Sequence, residues 1–133
     1  MMLQFANIKA EAIADDNSGA TFIFFSGTFG LKSHILNGMF EPTKDMGQDG
    51  RVVYIKCADR DHCIEHFRGE WQVKHVAMRG KNVCWAYVTG GCGLEACRSR
   101  VWSVTDGFAF VAQPQMKMAT GCDAELQVKC RRL

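Results

Sequence analysis

The chain has 133 residues, of which 47% are apolar and 23% are charged, and its formal net charge is +2. This length fits one domain with one core, and the composition excludes a disordered chain. Because the positive charge is small and forms no basic stripe, we expect no binding to duplex nucleic acid. The longest strongly apolar run, at 22–25, is also far too short to cross a membrane.

The sequence pattern divides the chain into an N-terminal extension at 1–19, a β-rich domain at 20–120 and a C-terminal tail at 121–133. The extension is compatible with a short amphipathic helix or with a strand that joins the sheet. From Ala20 onward, apolar and polar residues alternate and glycines separate the runs, which is typical of strands. We predict strands at 21–26, 36–40, 51–57, 62–67, 71–77, 83–89, 100–105, 108–113 and 115–119. The predicted fold class is therefore all-β, mainly an antiparallel meander in a sandwich or barrel, with a short N-terminal helix as an option.

Three dipeptides mark turns between these strands: Asn37-Gly38, Asp49-Gly50 and Asp106-Gly107. Asparagine, aspartate and glycine tolerate the positive φ angles that tight hairpin turns require. The third dipeptide separates VWSVT from FAFVA, and this arrangement predicts a two-residue hairpin.

Alternation along the strands predicts which side chains form the core. Trp71 and Val73 fall on one face of their strand, and Phe108, Phe110 and Ala112 share a face of a later strand. Because successive side chains of a strand point to opposite faces, we expect both sets to be buried.

The stretch DRDHCIEHFRGEW, at 59–71, carries two histidines. If the stretch is a helix, the histidines suggest a metal site. If it is a strand, they suggest an ordinary part of a sheet. On a helix, His62 and His66 would share one face, as in a zinc site. Gly69 and the aromatic strand that begins at Trp71 favour a strand instead. On a strand the two histidines lie about 13 Å apart, at roughly 3.3 Å per residue, and cannot share a metal ion. We therefore predict a charged turn and an edge-like strand.

Seven cysteines occur, at positions 57, 63, 84, 92, 97, 122 and 130. An odd number without a recognisable signal peptide favours reduced thiols in an intracellular compartment, the cytoplasm or an organelle interior. Cys92 and Cys97 could supply two zinc ligands, with Cys57, Cys63 or a histidine completing the set. Their spacing does not bring four ligands together, and no thiolate–base pair or phosphate loop is recognisable. We therefore predict no metal, no cofactor and no catalytic residue.

Six stretches together carry a resemblance to a known type of module: NGMFEPT at 37–43, GRVVYIK at 50–56, IEHF at 64–67, WQVK at 71–74, CGLEAC at 92–97 and VWSVTDGFAFVAQP at 101–114. Over about 27–117 the chain resembles an uncharacterised β-rich module of predicted dinoflagellate, algal and protist proteins. Such modules occur alone, repeated or attached to other domains. The resemblance implies a β-fold and an accessory or recognition role, and it implies no catalytic residues.

The leading functional hypothesis is a non-enzymatic protein-binding β-module or an accessory subunit of a larger assembly, such as an organellar one. Sheet edges and loops are the surfaces that such a module offers. The expected contact residues are Asn37 and Phe40 in the NGMFEPT stretch and Cys92 and Cys97 in the glycine-rich loop.

Two alternatives remain open from the sequence. The first is a small-molecule or carbohydrate-binding domain with an aromatic pocket near Trp71 or Trp85. The second is a thiol-dependent or metal-dependent enzyme built on the cysteines and histidines of 57–66 and the 92–97 loop.

Overall fold

The computed structural model describes residues 20–91 and 93–121. The predicted N-terminal helix, most of the C-terminal tail and Cys92 lie outside the described residues. The elements, in chain order, are β1 (Ile23–Ser26), α1 (Ser33–Leu36), β2 (Gly38–Met46), β3 (Val52–Lys56), β4 (His62–Phe67), β5 (Glu70–His75), a first 3-10 helix (Val76–Met78), β6 (Ala86–Thr89), a second 3-10 helix (Leu94–Cys97), β7 (Trp102–Thr105), β8 (Phe110–Gln113) and β9 (Lys117–Thr120). In this part of the chain, no helix has the length and apolar character needed to cross a bilayer.

The nine strands form one antiparallel sheet in the order β8-β7-β6-β5-β4-β3-β2-β1-β9. Strands β1 to β8 each pair with their neighbours in sequence, which confirms the predicted all-β, antiparallel meander. The last two strands are consecutive in the chain and lie at opposite ends of the sheet. The sheet is therefore curled into a half-barrel, so that a short connection reaches from β8 to β9.

The concave face of the half-barrel holds the core. The predicted core residues Trp71 and Val73 are confirmed there, at 2% and 0% exposure. Phe25 packs edge-on against Phe40 and Trp102, with ring centroids 5.8 and 5.0 Å apart. Such edge-to-face pairs add to the free energy gained by burying the rings.

Short helices cover the two ends of this core. At one end, α1 buries Ile35 and Leu36, and Lys56 Nζ donates hydrogen bonds to the carbonyl oxygens of His34 (2.7 Å) and Ile35 (2.5 Å). Burial lowers the pKa of Lys56, and these carbonyl oxygens satisfy its ammonium group. At the other end, the second 3-10 helix inserts Leu94 into the core.

The structure corrects two sequence predictions. Strand β4 is not an edge strand, because it lies in the middle of the sheet and all six of its residues are buried. Phe108, Phe110 and Ala112 are not core residues: all three are exposed, and Phe108 is 99% exposed. The alternating pattern was present in both strands, but the position of each strand in the sheet decided its burial.

Candidate interaction surface around strand β8

Strand β8 ends the sheet on one side and follows an ordered hairpin turn. The Asp106 carboxylate accepts hydrogen bonds from the backbone N–H groups of Phe108 and Ala109, both at 2.9 Å. These two bonds hold the pKa of Asp106 below its usual range. A hairpin turn is therefore present at Asp106-Gly107 and fixes the start of β8, but the connection between the strands is 106–109, not the two residues predicted.

The register of the β7–β8 pair shows which backbone groups of β8 face outward. Thr105 donates its N–H to the carbonyl oxygen of Trp85, so its backbone groups point toward β6. Its partner in β8 is Phe110, and the direction of backbone groups alternates along an antiparallel pair. The N–H and C=O groups of Phe110 and Ala112 therefore point away from β7, and no described residue pairs with them.

A bridging segment, residues 27–32, follows β1 and passes beside β8, from the last residue of that strand to the turn that precedes it. Two side-chain amides hold it as a neighbouring strand would. Asn37 accepts from the Thr28 N–H at 3.1 Å and donates to the Thr28 carbonyl oxygen at 2.9 Å. Gln113 does the same for Phe29, at 3.2 and 3.0 Å. The Asn37 amide is thus engaged in the structure of the domain.

Large apolar side chains are exposed around β8. Phe108 projects from the hairpin turn, while Phe29 and Leu31 of the bridging segment are 65% and 69% exposed. Phe110 and Val111 of β8 itself are both about half exposed. Single exposed apolar residues are common, but a group of five around one strand is typical of an interaction site.

A groove of about 550 Å³ lies on the convex face beside β8, and we call it the Trp85 groove. Its walls include Lys32, Glu70, Gln72, Trp85, Tyr87 and Phe110. The Lys32 ammonium group lies 4.4 Å from the centroid of the Trp85 ring. The groove therefore lies at Trp85, one of the two tryptophans near which the sequence suggests an aromatic pocket.

A second cavity, near Trp71, lies at the end of the core that the second 3-10 helix covers. It is a cavity of about 390 Å³ lined by Trp71, Tyr54 and Arg51, among others. The first two rings are each only 2% exposed and pack edge-on at 6.1 Å. Burial raises the pKa of Tyr54, and the nearby Glu95 carboxylate raises it further. The aromatic rings here mainly belong to the core.

His66 holds the glycine-rich loop beside this cavity. Its Nδ1 atom contacts the Asp49 carboxylate, and its Nε2 atom lies 2.7 Å from the carbonyl oxygen of Gly90. The ring therefore links the Asp49 side chain to the backbone of the glycine-rich loop. His62 engages Asp59 instead, at 3.1 Å, so the two histidines have separate partners.

The residues predicted as contacts do not come together in one site. Phe40 is fully buried and Cys97 is 1% exposed, so both contribute to the core. Asn37 holds the bridging segment, and Cys92 lies outside the described residues. Of the predicted set, Trp85 lines the groove beside β8 and Trp71 lines the cavity at the other end of the core.

Three of the described cysteines do not resemble activated nucleophiles. Burial raises the pKa of Cys63 and of Cys84 to about 11, and it also raises that of Cys57. These thiols therefore stay protonated near neutral pH, whereas the thiolate is the reactive form. Within 20–91 and 93–121, no three His, Cys, Asp or Glu side chains are grouped to hold a metal ion.

The sequence reasoning missed the exposed residues Phe29, Leu31 and Phe108. One signal was available: FVAQ, the sequence of β8, contains no charged residue, and charged side chains are one device by which proteins guard an exposed edge strand. Comparisons of the chain with known protein families, with curated proteins and with solved structures find no match.

Proposed function

We propose that this chain is a protein-binding β-module that accepts an extended segment of another protein as an additional strand on β8. One observation carries the proposal: β8 is an uncharged edge strand with outward-facing backbone groups and exposed apolar neighbours. Addition of a strand to a sheet edge is a common mode of peptide recognition.

The backbone of β8 would supply the affinity that does not depend on partner sequence. The N–H and C=O groups of Phe110 and Ala112 can form four hydrogen bonds with an antiparallel segment. Pro114 follows directly after β8 and has no N–H group, so the added ladder ends there.

The side chains around β8 would select the partner. Phe108 and Phe110 offer aromatic surface, and no acidic or basic side chain lies within β8. A partner segment with alternating apolar residues fits this surface best, because burying aromatic rings contributes strongly at interfaces. The resemblance to β-rich modules of protist proteins, which occur alone or attached to other domains, agrees with an accessory subunit that binds in this way.

The proposal is tested by replacing one outward-facing N–H group without disturbing the sheet. Peptides selected from a displayed library of extended segments are titrated against the wild-type protein, Ala112→Pro and Ala112→Thr. Proline removes the outward N–H group of Ala112, whereas threonine keeps it and serves as the matched control. We expect Ala112→Pro to weaken binding at least tenfold and Ala112→Thr to change it little. The amide protons of Phe110 and Ala112 should exchange more slowly in the complex. Equal affinity of both variants, with unchanged exchange, would contradict the proposal.

A further inference from the structure

We propose that the Trp85 groove is a binding site for a neutral saccharide. The groove is open to solvent on the convex face of the sheet and shares Phe110 with the candidate surface around β8. Its volume of about 550 Å³ is in the range of small-ligand sites. Three features of its lining point to this class of ligand.

The first feature is a pair of aromatic rings on neighbouring parts of the groove. Tyr87 and Phe110 pack edge-on with ring centroids 5.1 Å apart, and both rings are partly exposed. A sugar ring presents C–H groups on one face, and that face packs well against aromatic rings. Because the two rings meet at 75°, the C–H face of a pyranose ring can stack on the exposed face of one ring and contact the edge of the other.

The second feature is a pair of polar atoms without hydrogen-bond partners among the described residues. Gln72 Oε1 is an acceptor and Trp85 Nε1 is a donor, and both residues line the groove. Gln72 is only 1% exposed, and its Nε2 atom already donates to Glu70 and Asn82. Both atoms are buried in this structure, so they become available to a ligand only when the side chains that line the groove move. A ligand hydroxyl group can then donate to Gln72 Oε1 or accept from Trp85 Nε1. Ligands rich in hydroxyl groups meet this requirement.

The third feature is the balance of charge. Lys32 and Glu70 are the charged residues of the groove, and they carry opposite signs. The net charge is therefore zero, which favours a neutral ligand over a phosphate or a carboxylate. Lys32 lies over the Trp85 ring, and its flexible side chain can move aside when a ligand enters.

The test begins with an array of neutral and anionic glycans, and each hit is then titrated in solution. Binding is followed by the NMR signal of the Trp85 indole N–H, with the indole signals of Trp71 and Trp102 as internal references. Trp85→Phe keeps an aromatic ring and removes the donor, so we expect three- to tenfold weaker binding. Tyr87→Ala removes one of the two aromatic rings and should weaken binding about tenfold or more.

Phe108→Ser is the matched control. Phe108 is exposed at the hairpin turn and does not line the groove, so this variant should bind saccharide normally while binding partner peptides less tightly. Thermal unfolding checks that each variant folds, and Trp85→Phe decides the matter alone if Tyr87→Ala does not fold. The proposal is overturned if no neutral glycan binds. It is equally overturned if only anionic glycans bind, or if Trp85→Phe binds as tightly as the wild type.

Discussion

Replacing Lys74 by methionine should cost much of the stability of this domain, because Lys74 is half of a buried ion pair. Its Nζ atom lies 2.6 Å from Glu65 Oε2 and 2.8 Å from the carbonyl oxygen of Lys81. The two side chains are 0% and 3% exposed. The Glu65 carboxylate also accepts from the N–H of Gly80 at 2.8 Å. The pair therefore attaches the loop after the first 3-10 helix to the convex face of β4 and β5.

The size of the effect follows from what remains after the substitution. Lys74→Met leaves the Glu65 carboxylate buried, with the Gly80 N–H group and Arg79, at 3.8 Å, as its remaining partners. Loss of one partner of a buried pair costs about 3–5 kcal/mol. Domains of this kind have a total stability of about 5–15 kcal/mol, so the variant should be strongly destabilised.

A double-mutant cycle in chemical denaturation tests this reasoning. Lys74→Met, Glu65→Leu and the double variant are compared, with Lys44→Met at an exposed position of β2 as the control. The double variant should cost no more than either single variant, because it leaves no uncompensated buried charge. The control should change the free energy of unfolding by less than about 0.5 kcal/mol. Additive costs for the two single variants would refute the idea that the pair acts as a unit.

Three further predictions concern stability. Gly27 and Gly30 both have positive φ angles, but only at Gly27 would a Cβ atom meet backbone, 2.5 Å from the oxygen of Gln115. Alanine should therefore cost about 1–2 kcal/mol at Gly30 and clearly more at Gly27 in thermal unfolding, and equal costs would contradict this. Burial raises the pKa of Cys63 from 9.0 to about 11, so its contribution to stability is complete below pH 9 and is lost as the pH rises through 11. The free energy of unfolding should thus fall more steeply in this range for the wild type than for Cys63→Ala, and parallel pH profiles would argue against it. Asn37→Ala removes both hydrogen bonds to one residue of the bridging segment and should cost about 1–3 kcal/mol. Hydrogen exchange in that segment should become faster, and unchanged exchange would show that the amide does not hold it.

Local sequence pattern was sufficient to determine the strands of this domain. Each of the predicted strands overlaps an observed strand, and turns are present at Asp49-Gly50 and Asp106-Gly107. The turn predicted between strands at Asn37-Gly38 is wrong, because this dipeptide joins the end of α1 to the start of β2. Alternation and turn chemistry act between residues that are close in the chain, so a single sequence reports them well. The start of the second strand was less accurate, because α1 occupies Ser33–Leu36 and the strand runs on from Gly38 to Met46.

Only the tertiary structure decided which of these strands are covered. Alternation separates two faces of a strand, but whether a face is buried depends on segments that are distant in sequence. The convex face of β4 is buried because the loop that carries Gly80 and Lys81 folds over Glu65 and Lys74. Strand β8 has the same kind of pattern and stays exposed, because it ends the sheet. The candidate surface around β8, with Phe108 in the turn before it, exists because β8 lies at an edge of the sheet. Long-range strand pairing, not local sequence pattern, decides which strand lies at an edge.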